Sequence, residues 1–71
     1  MGLWKIWYEI YQNGQKIGSG LYHRYYVRRG DAIRRANIQY NKSLERTDGI
    51  TFKWCVSQTN PWANGAEPVM Y

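Results

Sequence analysis

From Trp4 to Tyr11 every even position is apolar or aromatic (Trp4, Ile6, Tyr8, Ile10), while the odd positions mix Lys5, Trp7, Glu9 and Tyr11. A period of two marks a half-buried strand, whose successive side chains face core and solvent in turn. Asn13-Gly14 follows, the pair best able to take the positive φ values of a type I′ turn, whose twist matches the strands it joins. The pattern predicts a hairpin. A two-residue turn sets the register, so Gln12 is expected opposite Gln15, Tyr11 opposite Lys16, Ile10 opposite Ile17, Glu9 opposite Gly18, Tyr8 opposite Ser19, Trp7 opposite Gly20 and Ile6 opposite Leu21. On that register Ile17 and Leu21 join the even-numbered core face, and the Trp7 ring covers Gly20 on the other face. Gly18-Ser19-Gly20 weakens a regular strand and marks a bulge or bend. Unbroken pairing sends His23 and Tyr25 inward and Tyr22, Arg24 and Tyr26 outward; a bulge exchanges the two sets.

The period then changes. Ile33, Ala36, Asn37, Tyr40 and Leu44 recur at spacings of three and four, which predicts one amphipathic helix of about four turns. Asp31 is placed as its N-cap or first-turn acid, Asp48-Gly49 as its stop, and Ile38 falls off the apolar stripe. Alternation returns with Ile50, Phe52, Trp54 and Val56 on one side and Thr51, Lys53, Cys55 and Ser57 on the other, a third strand. Strand up, strand down, helix up and strand down brings this strand antiparallel beside the first. The expected fold class is α+β: a two-layer β-β-α-β domain with a small antiparallel sheet of order 2-1-3 and the helix on one face. Residues 1–59 form that single domain, and residues 60–71, with both prolines and little periodicity, read as an extension that is partly disordered or docked through Trp62. An alternative splits the second strand near Gly18 to Tyr22, giving three strands ahead of the helix, as in small domains that lay a sheet in the DNA major groove.

Length tightens this picture, because 71 residues bury only a small core. The single cysteine, Cys55, rules out an intramolecular disulfide and points to a reducing compartment. Aromatic density is the substitute: four Trp and seven Tyr are available, and each buried ring removes roughly 150–250 Å² from water. The first residues are too polar and alternating for a signal peptide, and no stretch approaches the ~20 apolar residues of a membrane span. A soluble, cytoplasmic chain is expected. A net charge of +5 favours an anionic partner.

Charge and rings meet on the outer sheet face, which collects Lys5, Trp7, Glu9, Tyr11, Lys16 and Lys53, with Tyr22, Arg24 and Tyr26 added if pairing runs unbroken. Two readings of this face stand side by side. Tyr and Trp are good strand formers, and a ring beside a lysine, such as Tyr11 near Lys16, stabilises a small sheet for its own sake. Equally, rings interleaved with cations suit single-stranded nucleic acid, whose bases stack on the rings while Lys and Arg neutralise phosphates. Arg28, Arg29, Arg34 and Arg35 surround the helix start, where free backbone N–H groups favour an anion. Asp31 competes for those donors, which makes a capped helix with a solvated basic flank the simpler account. Arg34 and Arg35 also point about 100° apart.

Other motifs carry less. Arg29-Gly30-Asp31 spells an adhesion tripeptide but sits at a helix start, and Asn41-Lys42-Ser43 is a sequon inside a helix. His23 and Cys55 lack an orienting third group for catalysis, and one His with one Cys cannot close a metal site. No cofactor and no small-molecule substrate are indicated. The sequence therefore predicts a small basic, non-enzymatic binding module. Nucleic acid is the first candidate partner, through Lys5, Trp7, Tyr11, Lys16, Tyr22, Arg24, Lys53, Arg34 and Arg35. The alternative is a protein-interaction or inhibitor module that self-associates or binds an acidic protein partner through the same face.

Overall fold

The computed structural model describes residues 2–59 and 61. The chain runs β1 (Lys5–Gln12), β2 (Gln15–Leu21), α1 (Arg29–Ser43) and β3 (Ile50–Ser57). The three strands form one antiparallel sheet of order β2-β1-β3 with the helix packed against one face, an α+β fold. The expected extension at residues 60–71, including Trp62, lies outside the described residues, apart from Pro61.

Local chemistry accounts for the elements. Asn13 and Gly14 both take positive φ, 51° and 85°, as a type I′ turn requires. Core burial follows the even positions: Ile6 is fully buried, and Trp54 and Val56 nearly so, against Ala32 and Ala36 of the helix. Trp4, Tyr8, Phe52, Tyr22, Tyr26, Ile33 and Tyr40 complete this core from its margins. Two buried alanines on one helix face let the helix backbone approach the sheet closely, a contact that the large rings then flank. The inward stripe is thus Ala32, Ile33, Ala36 and Tyr40; Asn37 and Leu44, expected on it, are exposed.

The helix departs from expectation at both ends. Its N-cap is Arg28, with no side-chain cap, and Asp31 sits inside the first turn, where a negative charge favours the positive end of the helix dipole. Its last helical residue is Ser43, five residues before Asp48. Asp48-Gly49 instead shapes the entry to β3: Asp48 accepts from the Ile50 backbone N–H (3.1 Å), and Gly49 has φ 80°. Gly49 also meets the hairpin tip, its carbonyl accepting from the Asn13 N–H at 3.1 Å.

The register of β2 is the main correction. Tyr11 pairs with Lys16 as expected, but Ile10 pairs with Gly18, so Ile17 is an extra, unpaired residue. This bulge lies ahead of Gly18-Ser19-Gly20 and reverses every later side chain. Tyr8 faces Gly20, Glu9 faces Ser19 and Trp7 faces Leu21. Ile17 (56 % exposed) and Leu21 (36 %) are therefore outside the core they were expected to join. A ring does cover Gly20, but it is that of Tyr8: a Cβ on Gly20 would overlap the phenol. Pairing continues through the Tyr22 N–H to the Ile6 carbonyl (2.8 Å), and residues 23–25 then bow out before Tyr26 bridges to Trp4. Tyr22 and Tyr26 consequently face inward, while His23 and Tyr25 are exposed.

Candidate nucleic-acid interface

Three strands contribute to the face away from the helix. Trp7 lies between Leu21 of β2 and Cys55 of β3, Glu9 between Ser19 and Lys53, and Tyr11 between Lys16 and Thr51. Side chains of β1 and β3 alternate, so the chemistry of this face follows directly from the inward packing of Ile6, Trp54 and Val56.

Glu9 is its electrostatic centre. It is 8 % exposed, accepts from the Tyr11 hydroxyl at 3.0 Å and pairs with the Lys16 ammonium at 2.7 Å. Burial pushes its carboxyl pKa up, but the hydrogen bonds of Lys16 and Tyr11 and the charges of Lys16 and Lys53 outweigh this and hold it below its ordinary value. The hydrogen bond to Glu9 in turn raises the Lys16 pKa. Lys16 is thus committed to an internal charge.

Lys5 and Lys53 are not so committed. Neither makes a salt bridge among the described residues; both instead lie against rings. The Lys5 ammonium is 6.0 Å from the Trp7 centroid and 5.8 Å from that of Tyr25, and Lys53 is 4.9 Å from that of Tyr11. Tyr11 therefore has Lys53 over its face, while Lys16, its expected partner, turns to Glu9. Beside them, Cys55 is buried at 2 % exposure, and the Trp7 indole N–H is buried with no acceptor among the described residues.

The candidate residues thus fall into two groups. Lys5, Trp7, Tyr11, Lys16 and Lys53 share one face. Tyr22 does not belong with them, because the Ile17 bulge turns it to the core. Arg24 lies in the excursion after β2 with its guanidinium 5.6 Å from the Tyr26 centroid, and Arg34 and Arg35 are on the helix, the other layer. Tyr25, expected inward on an unbroken register, is the ring that joins the face, half exposed and beside Lys5. The signal for it was the bulge or bend marked by Gly18-Ser19-Gly20, with the parity change that a bulge imposes; the bulge itself falls just ahead of that segment, at Ile17.

No group of three or more His, Cys, Asp or Glu among the described residues could hold a metal ion. No helix among them is long and apolar enough to cross a membrane. Comparison with protein-family models, with curated proteins and with solved structures gives no match.

Proposed function

We propose that the chain is a nucleic-acid-binding module that holds a single strand against the sheet face opposite the helix. The observation that carries this reading is the placement of two ammonium groups without a salt bridge among the described residues, Lys5 and Lys53, directly beside the rings of Trp7, Tyr25 and Tyr11. An exposed cation–π contact is worth about 0.5–1 kcal/mol, whereas a base stacked on an aromatic side chain is worth about 1–3 kcal/mol. A base can therefore take the ring while the displaced ammonium moves to the adjoining phosphate. Neutralised by Lys16, Glu9 opposes this weakly.

Each ammonium contributes about 0.7 to the salt slope of single-strand binding, so the two together give a slope of log K on log salt of about −1.4. Titration of a mixed-sequence single-stranded oligonucleotide tests the reading, with nuclear magnetic resonance reporting which residues move. Shifts are expected at Trp7, Tyr11, Tyr25 and Lys53, and Lys53→Gln should reduce the slope by about 0.7. Undetectable binding, or binding indifferent to salt, rejects it.

Self-association is the second reading, favoured by exposed Ile17 and Leu21 on β2, an outer strand of the sheet. A mass that rises with concentration in ultracentrifugation, with no oligonucleotide-induced shifts, would select it.

A further inference from the structure

The helix is offset over the sheet: it packs on β3 and β1 and does not reach β2. On that uncovered side the inward positions of β2 are Gly18 and Gly20, so the strand offers no side chain to fill the space. What remains is an open cleft of about 380 Å³. Its walls include the rings of Tyr8, Tyr22, Phe52 and Trp54, and the cations Lys42 and Arg46 stand among them. No carboxylate among the described residues lines it.

We propose that this cleft is a binding site for a small flat aromatic phosphate, a ring carrying one phosphoryl group. The volume falls at the lower end of the range of ligand pockets, about 300–1,000 Å³. Phe52 and Trp54 are stacked at 5.8 Å with 25° between their planes, and Tyr8 leans on Trp54 at 5.2 Å, which makes an aromatic wall suited to a planar group. Donors for the phosphoryl oxygens are present at the same place. The Lys42 ammonium and the Gln39 amide line the cleft and form no side-chain hydrogen bond or ion pair among the described residues. Arg46 spends Nε and Nη2 on Asp48, at 3.3 and 2.6 Å, and retains its other N–H groups. Its guanidinium also lies 5.7 Å from the Phe52 centroid, so the positive charge borders the aromatic wall. A phosphoryl group, with three strong acceptor oxygens, can use several of these donors at once. The Trp54 indole N–H is buried and has no acceptor among the described residues, so its resonance reports on the wall without being a donor exposed in the cleft.

This site lies on the opposite side of the sheet from Trp7 and Lys53, so it stands or falls apart from the single-strand reading. The full chain is titrated with adenosine 5′-monophosphate and with phenyl phosphate, and then with adenosine and ribose 5-phosphate, each of which lacks one half of the ligand. Resonances of Gln39, Lys42, Phe52 and the Trp54 indole should move with the two aromatic phosphates, and the half-ligands should bind at least about tenfold more weakly. Lys42→Gln, at an exposed position where folding is not at stake, should weaken aromatic phosphate binding about tenfold. The proposal is overturned if neither aromatic phosphate moves these resonances at millimolar concentration, or if the shifts fall on Trp7 and Lys53 instead. Equal affinity for ribose 5-phosphate, or unchanged affinity in Lys42→Gln, also overturns it.

Discussion

Gly49 and Gly14 both have positive φ, near 80° and 85°, yet they are not equivalent. Among the described residues nothing lies within 4 Å of a Cβ placed on Gly14, whereas one on Gly49 would come to 2.6 Å from the Asn13 carboxamide oxygen. Gly14→Ala should therefore cost about 1 kcal/mol, the left-handed penalty alone, and Gly49→Ala slightly more, because the exposed Asn13 side chain must also rotate aside. Chemical denaturation of the two variants checks the order. Glu9 carries a pH dependence whose sign follows from its depressed pKa: its stabilisation is present above the unfolded carboxyl value and is lost as pH falls through the folded one. Asp48, held down by Arg46 and the Ile50 N–H, acts in the same direction from an exposed position. Thermal stability should fall as pH drops below about 4, and Glu9→Gln should remove most of that slope. An unchanged slope in the variant would show that the carboxylate is not coupled to folding. The outward position of Glu9 was legible in the alternation of β1; its burial was not, because Lys16 and Tyr11 close over it only once β2 and β1 are paired.

At the scale of elements, the bulge at Ile17 and the alanine face of the helix decide the architecture. One unpaired residue turns Tyr22 and Tyr26 inward and leaves Leu21 beside Trp7. Deleting Ile17 should remove the bulge yet leave Gly18 opposite Ile10 and Gly20 opposite Tyr8, so that Tyr22 keeps its inward place. A change in stability below about 1 kcal/mol is expected on denaturation, with the Tyr22 N–H still protected by Ile6 in amide exchange; loss of that protection would show that the bulge itself is needed to hold the strand. Ala36 has no exposed surface and sits where helix and sheet meet. Ala36→Leu should cost about 1–3 kcal/mol by overpacking, whereas the same change at exposed Asn37 should be near neutral. Spacings of three and four predicted this helix correctly, but they centred its stripe one position too far round. Ala is a weak hydrophobic signal, and its value here is that it is small.

For the molecule as a whole, a small core leaves two chemically different sheet faces. Among the described residues, the helix covers β1 and β3 on one side and leaves the cleft, while the other side carries cations against rings and no helix. Replacing Lys5 and Lys53 together by Gln separates self-stabilisation from binding on that second face. If the rings and ammonium groups serve only each other, stability drops by about 1–2 kcal/mol, the sum of exposed cation–π contacts. On the proposed function the same loss of stability is accompanied by a fall of more than tenfold in oligonucleotide affinity, which calorimetry and titration read independently.

Periodicity and turn chemistry were enough to establish the strands, the hairpin and the helix, because each rests on neighbours in the chain, and the β2-β1-β3 order followed from the alternating directions of those elements. Burying Ile6, Trp54 and Val56 allows one sidedness for β1 and β3. The sidedness of β2 was different in kind. Its Gly18-Ser19-Gly20 segment has almost no side-chain preference to oppose a one-residue slip, so packing of the Tyr8 ring over Gly20 and of Tyr22 on the core selected the register. That long-range choice put Tyr25 rather than Tyr22 near Lys5. Helix placement is equally nonlocal: which strands α1 covers depends on how closely Ala32 and Ala36 fit the sheet, and the cleft is the space that this fit leaves.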